Sequence, residues 1–360
     1  MSDEAAKRGL TFVLGFFVYG FTTLVVVLAL SFWWAASQFQ APGPLQETKL
    51  ITIERGTGLN AIAQQLSDKG AVKSPYIFIF GARILGAQSS LKAGEYELQP
   101  GMSAKDIMIT LRDHEVFARR FTIREGLTSY EVVRHLKTIE NLSGEVDAIP
   151  AEGILLPNTY DYQLGEERAE ILKRLENEME KVLLPACKVL LEREAGTTLE
   201  DFLDMDCPSA PAPLKTLKDV LTLASIIEKE TGQSDERAKV AGVFLNRLNK
   251  GIALQTDPTV IYAINKGRHE NKGKGPLGRR LLRTDLQYDS PYNTYKYPGL
   301  PPGPIANPGK ASIEAVLSPA SHDYIFFVAD GTGGHAFAKT LKEHNANVAK
   351  WRKIRRAQGN

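Results

Sequence analysis

Residues 51–66 read ITIERGTGLNAIAQQL, and residues 121–136 read FTIREGLTSYEVVRHL. Each opens with a short alternating apolar run, passes a turn glycine (Gly56, Gly126), and continues as a helix-like segment. In both copies apolar residues stand six and ten places after the glycine: Ile62 and Leu66, then Val132 and Leu136. Positions four apart share one face of a helix. A partial third copy, YELQPGMSAKDIMITL at 96–111, places Gly101, Ile107 and Leu111 in the same register. The repeating unit is a strand packed under a short amphipathic helix, so an α+β chain is expected.

Before the first copy, no charged residue occurs from Gly9 to Gln46. The apolar run from Leu10 to about Ala36 exceeds the roughly 20 residues that span a bilayer. It is also longer than the core of a cleaved signal peptide. Trp33 and Trp34 close its far end, where an interfacial belt belongs, and Lys7 and Arg8 precede it. The expected order is a cytoplasmic tail (1–9), a transmembrane helix (10–36), a Pro/Gly linker (37–48), a small α+β module (49–118) and a mixed α/β domain (119–360) carrying a glutamate-bearing helix. By the positive-inside rule a single-pass protein with its N-terminus in the cytoplasm and its body exported is expected, the alternative being an uncleaved anchor with a cytoplasmic body. The first copy, T-I-x-x-G-x-x-L-x-x-I-A-x-x-L, resembles the glycan-binding LysM module over roughly 49–115. A spacer that binds nothing fits the same residues.

Hydrophobic residues make up 43% and charged residues 24% of the 360, values of a foldable chain. A net charge of +2 argues against a dedicated nucleic-acid binder. Cys187 and Cys207 fit no redox or zinc spacing, and they form either one disulfide in an exported body or two unpaired thiols. No metal or other cofactor is expected.

The second half carries the chemistry. Thr216 and Asp219 form a capping-box pattern opening TLKDVLTLASIIEKETG, with Gly232 as the expected stop. Leu221, Ser225 and Glu228 share a face beside the buried stripe of Val220, Leu223, Ala224 and Ile227. A carboxyl beside apolar walls has its pKa raised, as a general acid requires. Glu230 lies about 200° round the helix from Glu228 and is read as a structural contact. A second helix is expected in SDERAKVAGVFLNRLNKG. The stretch from Asp289 (DSPYNTYKYPGLPPGPIANPGK) presents Tyr292, Asn293, Tyr295 and Tyr297 on Pro/Gly loops, a composition suited to a sugar cleft. Asn307 before Pro308 is read as an N-cap, and Asp257 before Pro258 as a helix start. Helix is expected over 166–195 and loop over 152–162 (EGILLPNTYDY). The basic stretch 268–283 is read as a solvated loop or a flap over the cleft. Asp330 and His335 are expected to close a hairpin or to support the site.

Together, ASIIEKET around Glu228, LQTDPTVIY from Leu254, YNTYKYPGLPPGPIANPG from Tyr292, HAFAKTLKEHN from His335 and EGILLPNTY from Glu152 resemble the MltG/YceG family, endolytic murein transglycosylases of the bacterial inner membrane. The resemblance covers nearly the whole chain. It implies Glu228 as the catalytic glutamate of an E-K-E-T motif. Ser225, Gln255, Asp257, Tyr292, Asn293 and Asn307 are the expected substrate-binding positions. It further implies peptidoglycan glycan strands as substrate, cut between N-acetylmuramic acid and N-acetylglucosamine to leave a 1,6-anhydro end, with cell-wall synthesis enzymes as partners. A hydrolase using a second carboxylate, with Asp257 the candidate, or a non-catalytic wall-binding scaffold are the competing readings.

Overall fold

The computed structural model describes residues 2–190, 196–268 and 275–357, and side chains from residue 14 onward. The chain divides into two compact units, Met1–Arg119 and Arg120–Asn360.

The first unit begins with α1 (Ser2–Gln40), within which Leu14–Gln40 has mean hydropathy 2.1 and leaves its most apolar stretch unburied, while Phe39 near its end is buried in the unit's core. It is long and apolar enough to cross a membrane. After it come β1 (Lys49–Ile53), α2 (Leu59–Asp68), α3 (Pro75–Ile84), β2 (Gly94–Leu98) and α4 (Ala104–Asp113). β1 and β2 pair antiparallel, Ile51 opposite Tyr96. Ile51, Leu66, Tyr96, Ile107 and Leu111 share one core, under which α3, unforeseen in the repeat, contributes the fully buried Phe78.

The second unit opens with the second full copy of the repeat, β3 (Arg119–Thr122) and α5 (Ser129–Thr138). All three copies keep one geometry. Gly56, Gly101 and Gly126 each turn the chain at φ between +74° and +83°, a region glycine enters without a Cβ penalty. The helix cap follows two residues later at Gly58, Ser103 and Thr128, the last two closing capping boxes with Asp106 and Glu131.

Next come β4 (Thr159–Tyr162), paired with β3, and α6 (Arg168–Ala186). Two expectations are corrected here. Residues 159–162 form a strand rather than loop, because Ile123 N bonds Asn158 O and Phe121 stacks on Tyr160. α6 ends at Ala186 instead of running to 195, with Lys188 at φ +57° turning the chain away; residues 191–195 lie outside the described residues. Cys187 and Cys207 are joined as a disulfide.

The unit closes with α7 (Leu217–Glu230), α8 (Arg237–Asn249), α9 (Asp257–Asn265), α10 (Lys310–Leu317), the antiparallel hairpin β5 (Phe326–Ala329)–β6 (His335–Ala338) and α11 (Leu341–Ala357). α7 stops two residues before Gly232: Thr231 is extended, and its hydroxyl accepts from Gln233 N. Its middle, from Val220 to Ile227, is buried on every side, with α8, α9 and α10 packed around it. A helix so enclosed holds its C-terminal side chains in fixed directions.

Candidate active site

Glu228 and Glu230 leave α7 on opposite sides. The Glu228 side chain is only 5% exposed and faces an ion-pair cluster. Its Oε2 accepts from Gly309 N at 2.9 Å, and its Oε1 lies 3.6 Å from Arg237 Nη2. Arg237 also pairs with Glu125 at 3.5 Å. Burial, then the charge of Glu228, pushes the Glu125 carboxyl up, against the pull of Arg237. A Cβ added at Gly309 would meet the Glu125 carboxyl, so the start of α10 approaches these carboxyls closely and a larger residue would push the Glu125 side chain aside. Glu228 is thus held by one guanidinium and one helix-terminal N–H.

Glu230 instead lines an open cleft of about 600 Å³. One wall carries Gln255, Asp257 and Tyr295; the other, from β5 and α11, carries Phe326, Phe327, Leu341 and His344; Arg247 of α8 lines the same cleft. Burial pushes the Glu230 carboxyl up to about 7, opposed by Thr256, His335 and Arg247 and reinforced by Asp257. A carboxyl held there is populated in both protonation states near neutrality. Asp257 opens α9 with Thr256 as cap, and its Oδ1 accepts from Tyr295 Oη at 2.6 Å. Gln255 is exposed and sits at φ +52°, a conformation costly for a side-chain-bearing residue, held because its N–H bonds Thr294 O.

The other expected positions are placed differently. Ser225 is fully buried; its hydroxyl donates to Thr222 O and accepts from Ile305 N, tying the proline loop to α7. Asn293, also buried, donates to Leu286 O and Tyr288 O and accepts from Tyr295 N, which fixes the tyrosine that bonds Asp257. Asn307 is not an N-cap, since Gly309 caps α10. It points inward: Leu155 N donates to its Oδ1 at 2.9 Å, and its Nδ2 donates to Leu127 O and Ser129 Oγ. Tyr292 lines a separate depression of about 340 Å³ with Glu152 and Tyr262, whose ring centroid lies 5.0 Å from its own. There burial pushes the Glu152 carboxyl up to about 7, although Ser129 N donates to it at 2.6 Å.

The structure therefore brings Gln255 and Asp257 together with Glu230, and gives Ser225, Asn293 and Asn307 to the loops behind them. Reading the sequence did not place Glu230, Arg247 or Glu152 on a cleft; the structure puts the first two on the larger one and Glu152 on the smaller. The signal available for Glu230 was its position about 200° from Glu228, which put it on a face that other chain segments had to complete. Asp330 does close the hairpin turn, accepting from Thr332 N and Gly334 N, and His335 Nδ1 lies 2.6 Å from Glu236 Oε2. Of the basic stretch, residues 269–274 lie outside the described residues. Beyond them Arg279 pairs with Asp285 at 2.6 Å.

A titratable carboxyl on a cleft between a polar and an aromatic wall is the arrangement of an acid–base enzyme. Comparison with known proteins makes the class particular. The YceG-like family profile matches residues 51–350, and the chain belongs to that family. A Bacillus subtilis protein named endolytic murein transglycosylase is 34% identical over 319 residues, 84% of this chain and 84% of that protein. A Streptococcus pneumoniae protein of the same name is 31% identical over 333 residues, 83% of this chain but 57% of its own length. A crystal structure of a yceG-like protein from Listeria monocytogenes has 30% identity and a TM-score of 0.46, over 84% of this chain and 99% of that one.

Proposed function

We propose that this protein cuts peptidoglycan glycan strands internally as a lytic transglycosylase, with Glu230 as the acid and then the base. The observation that carries the reading is the Glu230 carboxyl, held near neutrality on the cleft. Glu228, the residue expected from the sequence, is engaged by Arg237 and Gly309 N, and we assign it to positioning the start of α10.

A hydrolase normally needs two carboxylates, whereas a transglycosylase needs one, because the substrate brings its own nucleophile. Protonated Glu230 gives its proton to the oxygen linking N-acetylmuramic acid to N-acetylglucosamine. The bond from that oxygen to the muramic anomeric carbon breaks, leaving an oxocarbenium-like centre. The carboxylate then takes the proton of the muramic 6-hydroxyl as its oxygen bonds the same carbon. The products are a 1,6-anhydro end and a free 4-hydroxyl; no water is consumed and Glu230 is again protonated. Holding the 6-hydroxyl near the anomeric carbon supplies the high effective concentration of an intramolecular attack. Gln255 and Asp257 are proposed to bond sugar hydroxyls, and Phe326 with Tyr295 to flank the rings. Ser225, Asn293 and Asn307 act by positioning loops, and Tyr292 by contacting the strand outside the cleft.

In the same reading α1 anchors the chain in the inner membrane with its N-terminus inside, the LysM-like segment 49–118 engages glycan or spaces the catalytic unit, and cell-wall synthesis enzymes are the partners. The test is mass spectrometry of purified peptidoglycan digested with the full chain, beside Glu230→Gln and Glu228→Gln. Anhydro-muramyl ends made by the wild type and lost in Glu230→Gln support the reading. Reducing ends would favour a hydrolase with Asp257 as second carboxylate, and full activity in folded Glu230→Gln would overturn the assignment.

A further inference from the structure

The cleft holds a cation for which the reaction above has no use. Arg247 is 8% exposed, on α8. Two contacts hold it in place. Its Nη1 donates to Leu254 O at 2.6 Å, and its guanidinium lies 5.5 Å from the Phe326 ring centroid. Its Nε is buried without a hydrogen-bond partner. A buried guanidinium with a vacant donor costs free energy unless some other group gains from the charge. The titratable groups facing that volume are the carboxyls of Glu230 from α7 and Asp257 from α9 and the Tyr295 phenol from the stretch between α9 and α10. His335 from β6 acts on Glu230 as well, and His344 from α11 stands beside Arg247 on the cleft wall.

We propose that Arg247 is the positioning residue that lets Glu230 alternate between acid and base: a fixed positive charge, buried on the same cleft, that stabilises the carboxylate formed once the proton has been delivered. The inference rests on Glu230 being the acid. Burial alone would hold Glu230 protonated, a good donor but an anion formed at high cost. A guanidinium lowers that cost without accepting the proton itself, since arginine stays charged at any working pH. The Leu254 carbonyl and the Phe326 ring keep it from collapsing onto the carboxylate as a closed bidentate pair, which would make Glu230 permanently ionised. Arg247 does not touch the reacting atoms in this scheme; it acts through Glu230.

The test is the pH dependence of kcat for the full chain in detergent, comparing wild type, Arg247→Lys, Arg247→Gln and Arg247→Met. The methionine variant keeps apolar volume against Phe326 should glutamine unfold. Loss of the charge should move the high-pH limb of the profile upward, because Glu230 then holds its proton longer. The maximal rate should fall by roughly 10²-fold, the scale of one lost electrostatic contact in a cleft. Arg247→Lys should keep the limb where the wild type has it. A structural role alone would lower the rate in all three variants with the limb unmoved, and that result would overturn the proposal. Activity surviving in Glu230→Gln would instead overturn the acid assignment, whatever Arg247 does.

Discussion

Replacing Glu152 by glutamine should stabilise the protein at pH 8 and do little at pH 4. In the folded chain burial raises this carboxyl from an ordinary 4.5 to about 7. Folding therefore favours the protonated form. That contribution is complete below pH 4.5 and is lost as pH rises through about 7, after which an ionised, poorly solvated carboxylate remains. The gap corresponds to roughly 3 kcal/mol at 1.36 kcal/mol for each pH unit. The residue is of intermediate exposure, so solvent screening reduces this to roughly 1–3 kcal/mol. Glutamine keeps the carbonyl oxygen that accepts from Ser129 N at 2.6 Å, so the contact survives while the titration disappears. Urea unfolding of both proteins, followed by circular dichroism from pH 4 to 8, isolates the term, because other titrating groups cancel in the difference. The variant's relative stability should climb with pH. A difference that stays flat within about 0.5 kcal/mol would refute the reasoning.

Activity should fall as pH rises above about 7, since Glu230 must be protonated to act as acid and its carboxyl sits near that value; a pH–rate profile of anhydro-end formation checks this. Asn307→Ala strands Leu155 N and removes three further hydrogen bonds, to Leu127 O, Ser129 Oγ and Glu152 Oε1, so a loss of roughly 3 kcal/mol is expected, read as a melting-temperature drop on the order of 10 °C. Cys207→Ser frees a loop of sequence separation 20, and thermal unfolding should show a loss of roughly 3 kcal/mol. Glu230→Gln should cost at least roughly 10²-fold in cleavage rate, whereas Glu228→Gln should act mainly on stability, measured on the same two preparations.

The sequence by itself determined the local units. The threefold strand–glycine–helix register, with Ile62/Leu66, Ile107/Leu111 and Val132/Leu136 turned inward, was legible because a helical face depends on spacing alone. So were the apolar span, the helices of the E-K-E-T region and the Asp330 turn. Tertiary structure decided what each polar residue meets. Glu228 and Glu230 are two residues apart on one helix, and periodicity separates their directions without saying which direction ends in a cleft. Arg237 and Gly309 closed one side; Arg247, Asp257 and a hairpin about a hundred residues downstream left the other open. Asn307, read locally as a cap, is claimed by backbone groups at 127 and 155. A carboxyl's pKa and an amide's role are set by the groups around them, and those groups arrive from distant parts of the chain, which no local pattern encodes.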